Sequence, residues 1–253
     1  MAFGTSRLHY VDGRTRRLLI DVALDMGVLH FDTAPAYGDG LAETELGAAL
    51  RKVRPHVIIA TKYGISPNPI MAAAPQVGSF LRAARGLGRR LGLSASRNEP
   101  ITAPGLRRSV HASLRRLSTD YIDILLLHEP TPARLQEPLS LLEELKALQS
   151  EGHIRNFGLA GAWSGLDALG SARLTLGMIQ QTHEYQWSAA EPPDITYSAI
   201  ASSPQSFASA AIPPSTASER LARALLRRRD GAVIVSTTNI KHLRILASIA
   251  GAT

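Results

Sequence analysis

The chain has 253 residues, 45% hydrophobic and 19% charged, enough to bury one sizeable core in a single domain. It contains no cysteine, which excludes disulfides, thiolate metal sites and cysteine nucleophiles together. The formal charge is +7, yet aromatics are only 5% and no base-reading motif appears, so the arginines are expected on solvated outer helix faces, not on nucleic acid.

In chain order, short aliphatic runs alternate with amphipathic segments. A strand over Phe3–Ser6 precedes a helix over 13–26. Strand Val28–Asp32, helix 41–52 and strand Val57–Thr61 follow. Residues 64–105 then break the rhythm, being rich in Pro, Gly and Ala and carrying the basic cluster Arg82–Arg97. A helix over 106–117 places Leu106, Val110, Leu114 and Leu117 on one face with arginines opposite. Strand Ile122–Leu127 leads to a helix over 135–149, whose stripe is Leu135, Leu139, Leu142, Leu145 and Leu148. Strand Ile154–Leu159, helix 164–173 and strands Met178–Gln181 and Ile195–Tyr197 come next. Residues 198–217 are Ser, Ala and Pro rich and expected to be irregular. Helix 217–229, strand Ala232–Val235 and helix 239–250 complete the chain.

Runs such as Ile124-Leu-Leu-Leu127 are buried on both faces, and strict strand–helix alternation predicts a parallel sheet covered by helices. Eight such units predict a closed (β/α)8 TIM barrel, an α/β fold formed as one domain over 1–253. An open doubly wound sheet is the alternative. No apolar run approaches the roughly 18 residues of a membrane span, and no secretory leader is evident. No membrane association and a cytoplasmic location are therefore expected. The oligomeric state stays open.

In a parallel barrel, reactive groups sit where strands end and the following loops begin. Strand two ends in Asp32, with Tyr37 five residues on. Strand three delivers Lys62 and strand four His128. Singly, each has a plain reading: a turn residue, a loop aromatic, a solvated lysine, a core histidine. Together, at matched strand ends, they point to one shared mouth. The chemistry they suit is carbonyl reduction. Hydride arriving at carbon leaves negative charge on oxygen, which needs a proton and electrostatic support. Tyr37 can supply the proton, and a neighbouring Lys62 ammonium is expected to lower the phenol's pKa from its usual value of about 10. Asp32 would hold the lysine charged and oriented, while His128 would donate to the carbonyl oxygen. No side chain supplies hydride, so a nicotinamide cofactor is implied.

The stretch Gly27-Val-Leu-His-Phe-Asp32-Thr-Ala-Pro-Ala-Tyr37-Gly-Asp-Gly-Leu-Ala-Glu43-Thr-Glu-Leu-Gly47 resembles the aldo-keto reductase signature around its catalytic Asp and Tyr. Ile59-Ala-Thr-Lys62-Tyr-Gly resembles the family's lysine segment, and Ser113 to Pro130 the segment that carries its histidine. The resemblance implies a catalytic tetrad of Asp32, Tyr37, Lys62 and His128, a small-molecule carbonyl substrate, and NADPH as cofactor with NADH possible. On the cofactor side, Gln180 resembles the glutamine that binds the nicotinamide carboxamide. Tyr197-Ser198 resembles the tyrosine on which the ring stacks. The run from Ser236 and Thr237 into Lys241 and His242 resembles the loop and helix start that grip the adenosine phosphates.

The chain also departs from the family pattern. The usual Ser-Asn pair after strand five is Ala160-Gly161 here, and His242 stands where the 2′-phosphate arginine is usual. The sequence opens almost directly on its first strand and stops with its last helix. The floor hairpin and long C-terminal extension are thus expected to be missing, and the substrate pocket to be more open or completed by residues 64–105. Gly38-Asp-Gly40 is read as a tight turn, not a dinucleotide fingerprint, and no histidine shows metal-ligand spacing, so no metal site is expected. The net positive charge would favour a phosphate-bearing cofactor or an anionic substrate. Besides a reductase, a nicotinamide-binding sensor or accessory subunit with little turnover fits these features.

Overall fold

The computed structural model describes residues 1–68, 98–162, 166–169, 177–182, 193–200, 217–227 and 230–252. Eight parallel strands close into a barrel in strict sequence order. They are β1 (Ala2–Gly4), β2 (His30–Asp32), β3 (Ile58–Tyr63), β4 (Ile122–His128), β5 (Ile154–Gly161), β6 (Met178–Thr182), β7 (Ile195–Tyr197) and β8 (Ala232–Val235). The described helices outside are α1 (Gly13–Asp25), α2 (Leu41–Leu50), α3 (Ala103–Leu117), α4 (Pro138–Ser150), α5 (Ala217–Arg227) and α6 (Ile240–Ala252). The barrel is the predicted one, and the open sheet is excluded by the pairing of β1 with β8.

Two apolar layers follow from the alternation of side chains along each strand. Ala2, Ala60, Ile124, Leu126, Ala160, Ile195 and Ile234 pack together inside the barrel. Phe3, Phe31, Ile59, Leu125 and Leu127 point outward against helix residues such as Leu19, Leu46, Leu106, Leu141 and Leu243. The small residues Ala2, Ala60 and Ala160 leave little side-chain bulk at their own positions in the interior.

Element ends differ from the expectation where capping and pairing outweigh apolar periodicity. Helix α3 starts at Ala103, not 106, because the Thr102 hydroxyl accepts from Gly105 N and Pro104 suits the first turn. Helix α4 starts at Pro138, not 135, since Glu137 before it is left-handed (φ 50°). Strand β1 ends at Gly4, where Thr5 turns to donate from N and Oγ1 to Asp32 O. Strand β3 runs further than expected because its ladder continues through Lys62↔Leu126 and Tyr63↔Leu127, and β4 because His128 pairs with Ala160. The Gly38-Asp-Gly40 segment is the expected turn, with three consecutive positive φ values of 63°, 57° and 90°. Of the segment over 64–105, residues 69–97 lie outside the described ones, as do most of 198–217 and most of the helix expected over 164–173. The described ends of the first segment are joined by an antiparallel bridge between Ile65 and Asn98.

At the opposite end of the barrel from the strand C-termini, a charged cluster ties β3, β4 and β5. Arg54 bonds Asp123 at 2.7 Å and Arg155 bonds its other oxygen at 3.0 Å, while both guanidinium groups stack on the Tyr121 ring at 3.9 Å. Asp123 also accepts from Ile59 N at 3.0 Å. Among the described residues no helix is long and apolar enough to cross a membrane, and no group of His, Asp and Glu is arranged to hold a metal ion.

Candidate active site

Register places the ionisable side chains at one level of the barrel. Asp32 pairs with Gly4 on one side and Ala60 on the other. Ala60 belongs to the interior layer, so Lys62, two residues on, points the same way into the mouth. His128 pairs with Ala160, and Ala160 in turn with Gln180. Asp32, Tyr37, Lys62, His128 and Gln180 all line one pocket, with Ser6, Arg7, Glu129, Gly161, Tyr197, Ser198 and Ser236 around them. Three of the four ionisable groups therefore sit on the strands themselves, Asp32 and His128 at the end and Lys62 one residue inside it, whereas the sequence places Lys62 and His128 just beyond.

Lys62 Nζ donates to both oxygens of Asp32, at 2.8 and 2.7 Å, and to Thr33 O at 2.9 Å. Both side chains are almost fully buried. A buried carboxylate and ammonium are costly apart, which binds the two side chains to each other. Burial works against the Lys62 charge, but Asp32 and then Tyr37 outweigh it and its pKa is raised. The ammonium faces the Tyr37 ring, 5.2 Å from its centroid.

Tyr37 corrects one expectation. Burial raises its pKa above 10.0 by more than the Lys62 charge lowers it, and Asp32 and Glu129 add to the rise. The phenol is thus held protonated at neutral pH. His128 meets the Tyr37 ring edge-on at 6.2 Å between centroids. Burial, and then the Lys62 and Arg134 charges, push its pKa down to about 3, so the imidazole is neutral. The mouth holds a protonated phenol and a neutral imidazole beside a fixed cation, which is a set able to protonate and stabilise a developing oxyanion.

On the cofactor side, Gln180 Nε2 donates to Asp32 Oδ2 at 2.8 Å, leaving its buried Oε1 with no partner among the described residues. A buried acceptor without a donor is costly, and a carboxamide NH2 would satisfy it. On that observation the residues fit a nicotinamide. Tyr197, Ser198 and Ser236 line the same pocket. Thr237, Lys241 and His242 do not. Thr237 lies on the loop after β8, and Lys241 and His242 are exposed in the first turn of α6. Their backbone N–H groups donate within the chain, both to Asn239 Oδ1, from Lys241 at 2.9 Å and from His242 at 3.2 Å. The expected phosphate grip by helix amides is to that extent taken up by an intrachain cap, which leaves the exposed Lys241 and His242 side chains.

Several residues at the mouth escape sequence reasoning. Thr33 contributes a carbonyl, not a side chain, to Lys62. Arg134, far from any strand end, gathers the loops by donating to the carbonyls of His128, Glu129, Gly64 and Glu99. Glu129 was visible in the sequence only as the residue after His128. Behind Lys62, Glu43 is fully buried, accepting from Thr61 Oγ1 at 2.7 Å and from Arg116 Nε at 2.6 Å.

Residues 1–191 match the profile of the aldo/keto reductase family. The chain belongs to that family. It is 33% identical over 162 residues to a D-threo-aldose 1-dehydrogenase of a Pseudomonas species, covering 60% of this chain and 44% of that protein. It is 35% identical over 153 residues to the NADH-specific methylglyoxal reductase of Escherichia coli, covering 57% of this chain and 41% of that protein. The match thus spans less than half the length of either curated relative. Among solved structures, a putative aldo-keto reductase of Pseudomonas aeruginosa superposes with a TM-score of 0.67 at 26% identity, covering 99% of this chain and 88% of the other.

Proposed function

We propose that this chain reduces an aldehyde or ketone to the alcohol, with Tyr37 as the proton donor and NADPH as the cofactor. The observation that carries the reading is the buried Asp32–Lys62 pair set against the Tyr37 ring in the barrel mouth. When bound, the nicotinamide supplies the hydride, and the chain's own residues manage the oxygen. Tyr37 holds a proton at its phenol because burial keeps it from ionising. As negative charge develops on the substrate oxygen, that proton passes from the phenol to the oxygen, completing the alcohol. The Lys62 ammonium stabilises the phenolate left behind, and Asp32 keeps Lys62 charged and aimed. His128, neutral, is suited to donate a hydrogen bond to the same oxygen without competing as an acid.

Gln180 would hold the carboxamide through Oε1, with Tyr197 and Ser198 beside the ring and Ser236, Thr237, Lys241 and His242 toward the phosphates. The exposed Lys241 at the start of α6 favours NADPH. NADH is the second possibility, supported by the E. coli relative named as NADH-specific. Ala160-Gly161 offers no polar side chain at the end of β5, and that observation supports a second reading: a nucleotide-binding sensor with little turnover.

One experiment separates these. The purified protein is titrated with NADPH and NADH by fluorescence and then assayed at 340 nm on a panel of aldehydes. Binding with turnover supports the reductase, and binding without turnover on any aldehyde supports the sensor. Binding of neither nucleotide removes both.

A further inference from the structure

Glu129 is the residue at the mouth that the chemistry above leaves without work, and its placement is costly. It is one of two non-glycine residues in the pocket lining with a left-handed backbone, φ 49°, the other being Ser198 at 62°. Such a conformation is strained for a residue with a side chain, and persists only where the surroundings enforce it. Here they do. Glu129 N donates to Ala160 O at 2.7 Å, and Arg134 binds its carbonyl at 2.5 Å. The backbone is clamped from both sides, and the side chain joins the pocket wall. One carboxylate oxygen lies 3.2 Å from where a Cβ on Gly161 would stand, so the bare backbone of Gly161 makes room for it.

The carboxylate has no hydrogen bond or ion pair among the described residues. Arg134 acts on it through space but spends its own donors on backbone carbonyls. Lys62 is committed to Asp32 and Thr33. The other cation in the lining, Arg7, follows β1, and β1 stands across the eight-stranded barrel from β5. The next acceptor round the wall, Gln180 Oε1 on β6, is also without a partner among the described residues. The wall from β4 to β6 is therefore rich in acceptors, the Glu129 carboxylate and Gln180 Oε1, with His128 as its donor, while the Arg7 cation stands over β1. A ligand group brought against Glu129 must offer hydrogen-bond donors and must not carry negative charge.

We propose that Glu129 is a specificity-determining residue, whose carboxylate selects uncharged, hydroxyl-bearing carbonyl substrates and rejects carboxylate-bearing ones. This rests on the reductase reading above, and it opposes the anionic substrate that the net charge of the chain alone would favour. Substrate hydroxyls donate to the carboxylate oxygens, while a substrate carboxylate meets a like charge in a partly buried site.

The test uses the full chain and its Glu129→Gln and Glu129→Gly variants, the second of which also relieves the left-handed backbone. Each is assayed for NADPH-dependent reduction of glyceraldehyde, butyraldehyde and succinic semialdehyde, and for NADPH affinity by fluorescence. In both variants the kcat/KM preference for glyceraldehyde over succinic semialdehyde is expected to fall about tenfold, the scale of one removed like charge a few ångströms from the substrate. An unchanged preference in either soluble variant overturns the assignment. So does an effect confined to the NADPH Kd, which would give Glu129 to the cofactor. Turnover of none of the three aldehydes by the unaltered chain overturns the reductase reading, and this assignment with it.

Discussion

Gln180 and Asp32, 148 residues apart, meet in the barrel mouth, where Nε2 donates to Oδ2 at 2.8 Å. The carboxylate that orients Lys62 is thereby itself oriented from β6, and the residue proposed to face the nicotinamide is coupled to the pair behind the proposed proton donor. Gln180→Leu removes both the donor to Asp32 and the orphan acceptor. The Kd for NADPH is expected to rise about tenfold, as for loss of one hydrogen bond linked to a charged group. Fluorescence titration checks this, and an unaltered Kd would take Gln180 out of the cofactor site.

Tyr37→Phe keeps the ring that faces Lys62 and His128 but removes the proton. Reduction is expected to fall by between about 10²- and 10⁴-fold with NADPH affinity nearly unchanged. Single-turnover rates and a parallel titration give the two numbers. Activity retained in this variant ends the case for Tyr37 as donor.

The raised pKa of Tyr37 sets the sign of the pH response. The donor must be protonated, and burial, partly offset by Lys62, holds its pKa above 10.0. Reduction is expected to stay level from pH 6 to 9, with His128 uncharged throughout because its pKa is about 3. A rate that drops by half between pH 7 and 9 would contradict the burial of the phenol.

His30 and His128 make stability acid-sensitive. Burial chiefly pushes the His30 pKa down to about 4, and that of His128 to about 3, both from 6.5. Below pH 6.5 the unfolded chain takes up protons that the folded rings refuse. Stability from these groups is thus intact above pH 6.5 and is lost as pH falls from there toward 3 to 4. The Tm is expected to be lower at pH 5 than at pH 7, with a smaller drop in His30→Asn. An equal drop in the variant would remove His30 from the account.

Asp123→Asn leaves Arg54 buried without its full counter-charge. The loss is expected to be about 3 kcal/mol in unfolding free energy, as for breaking one side of a buried pair. Because the cluster lies at the barrel end away from the mouth, kcat at low temperature should change less than twofold. Urea unfolding and a matched assay measure both, and a stability within about 0.5 kcal/mol of the parent would show the cluster to be ornamental.

The residues of the mouth were legible in the sequence because barrel topology turns strand ends into neighbours. Once Val28–Asp32, Val57–Thr61 and Ile122–Leu127 read as consecutive parallel strands, Asp32, Lys62 and His128 had to lie at one end. The eight-fold alternation was legible for the same reason, through local patterns of apolar residues. Element boundaries were less so, since Thr102 capping α3 and Pro138 opening α4 act through hydrogen bonds and φ, not through periodicity. What only the tertiary structure decided is what burial and distant partners decide. It set the net direction of the Tyr37 pKa, since desolvation depends on everything packed around the phenol. It closed the Gln180–Asp32 bond across the barrel, and it paired the amides of Lys241 and His242 with Asn239. It also turned Glu129 into the mouth, because its left-handed backbone is held by Arg134 within the β4–α4 loop and by Ala160 on β5, and that second hold belongs to no single stretch of chain.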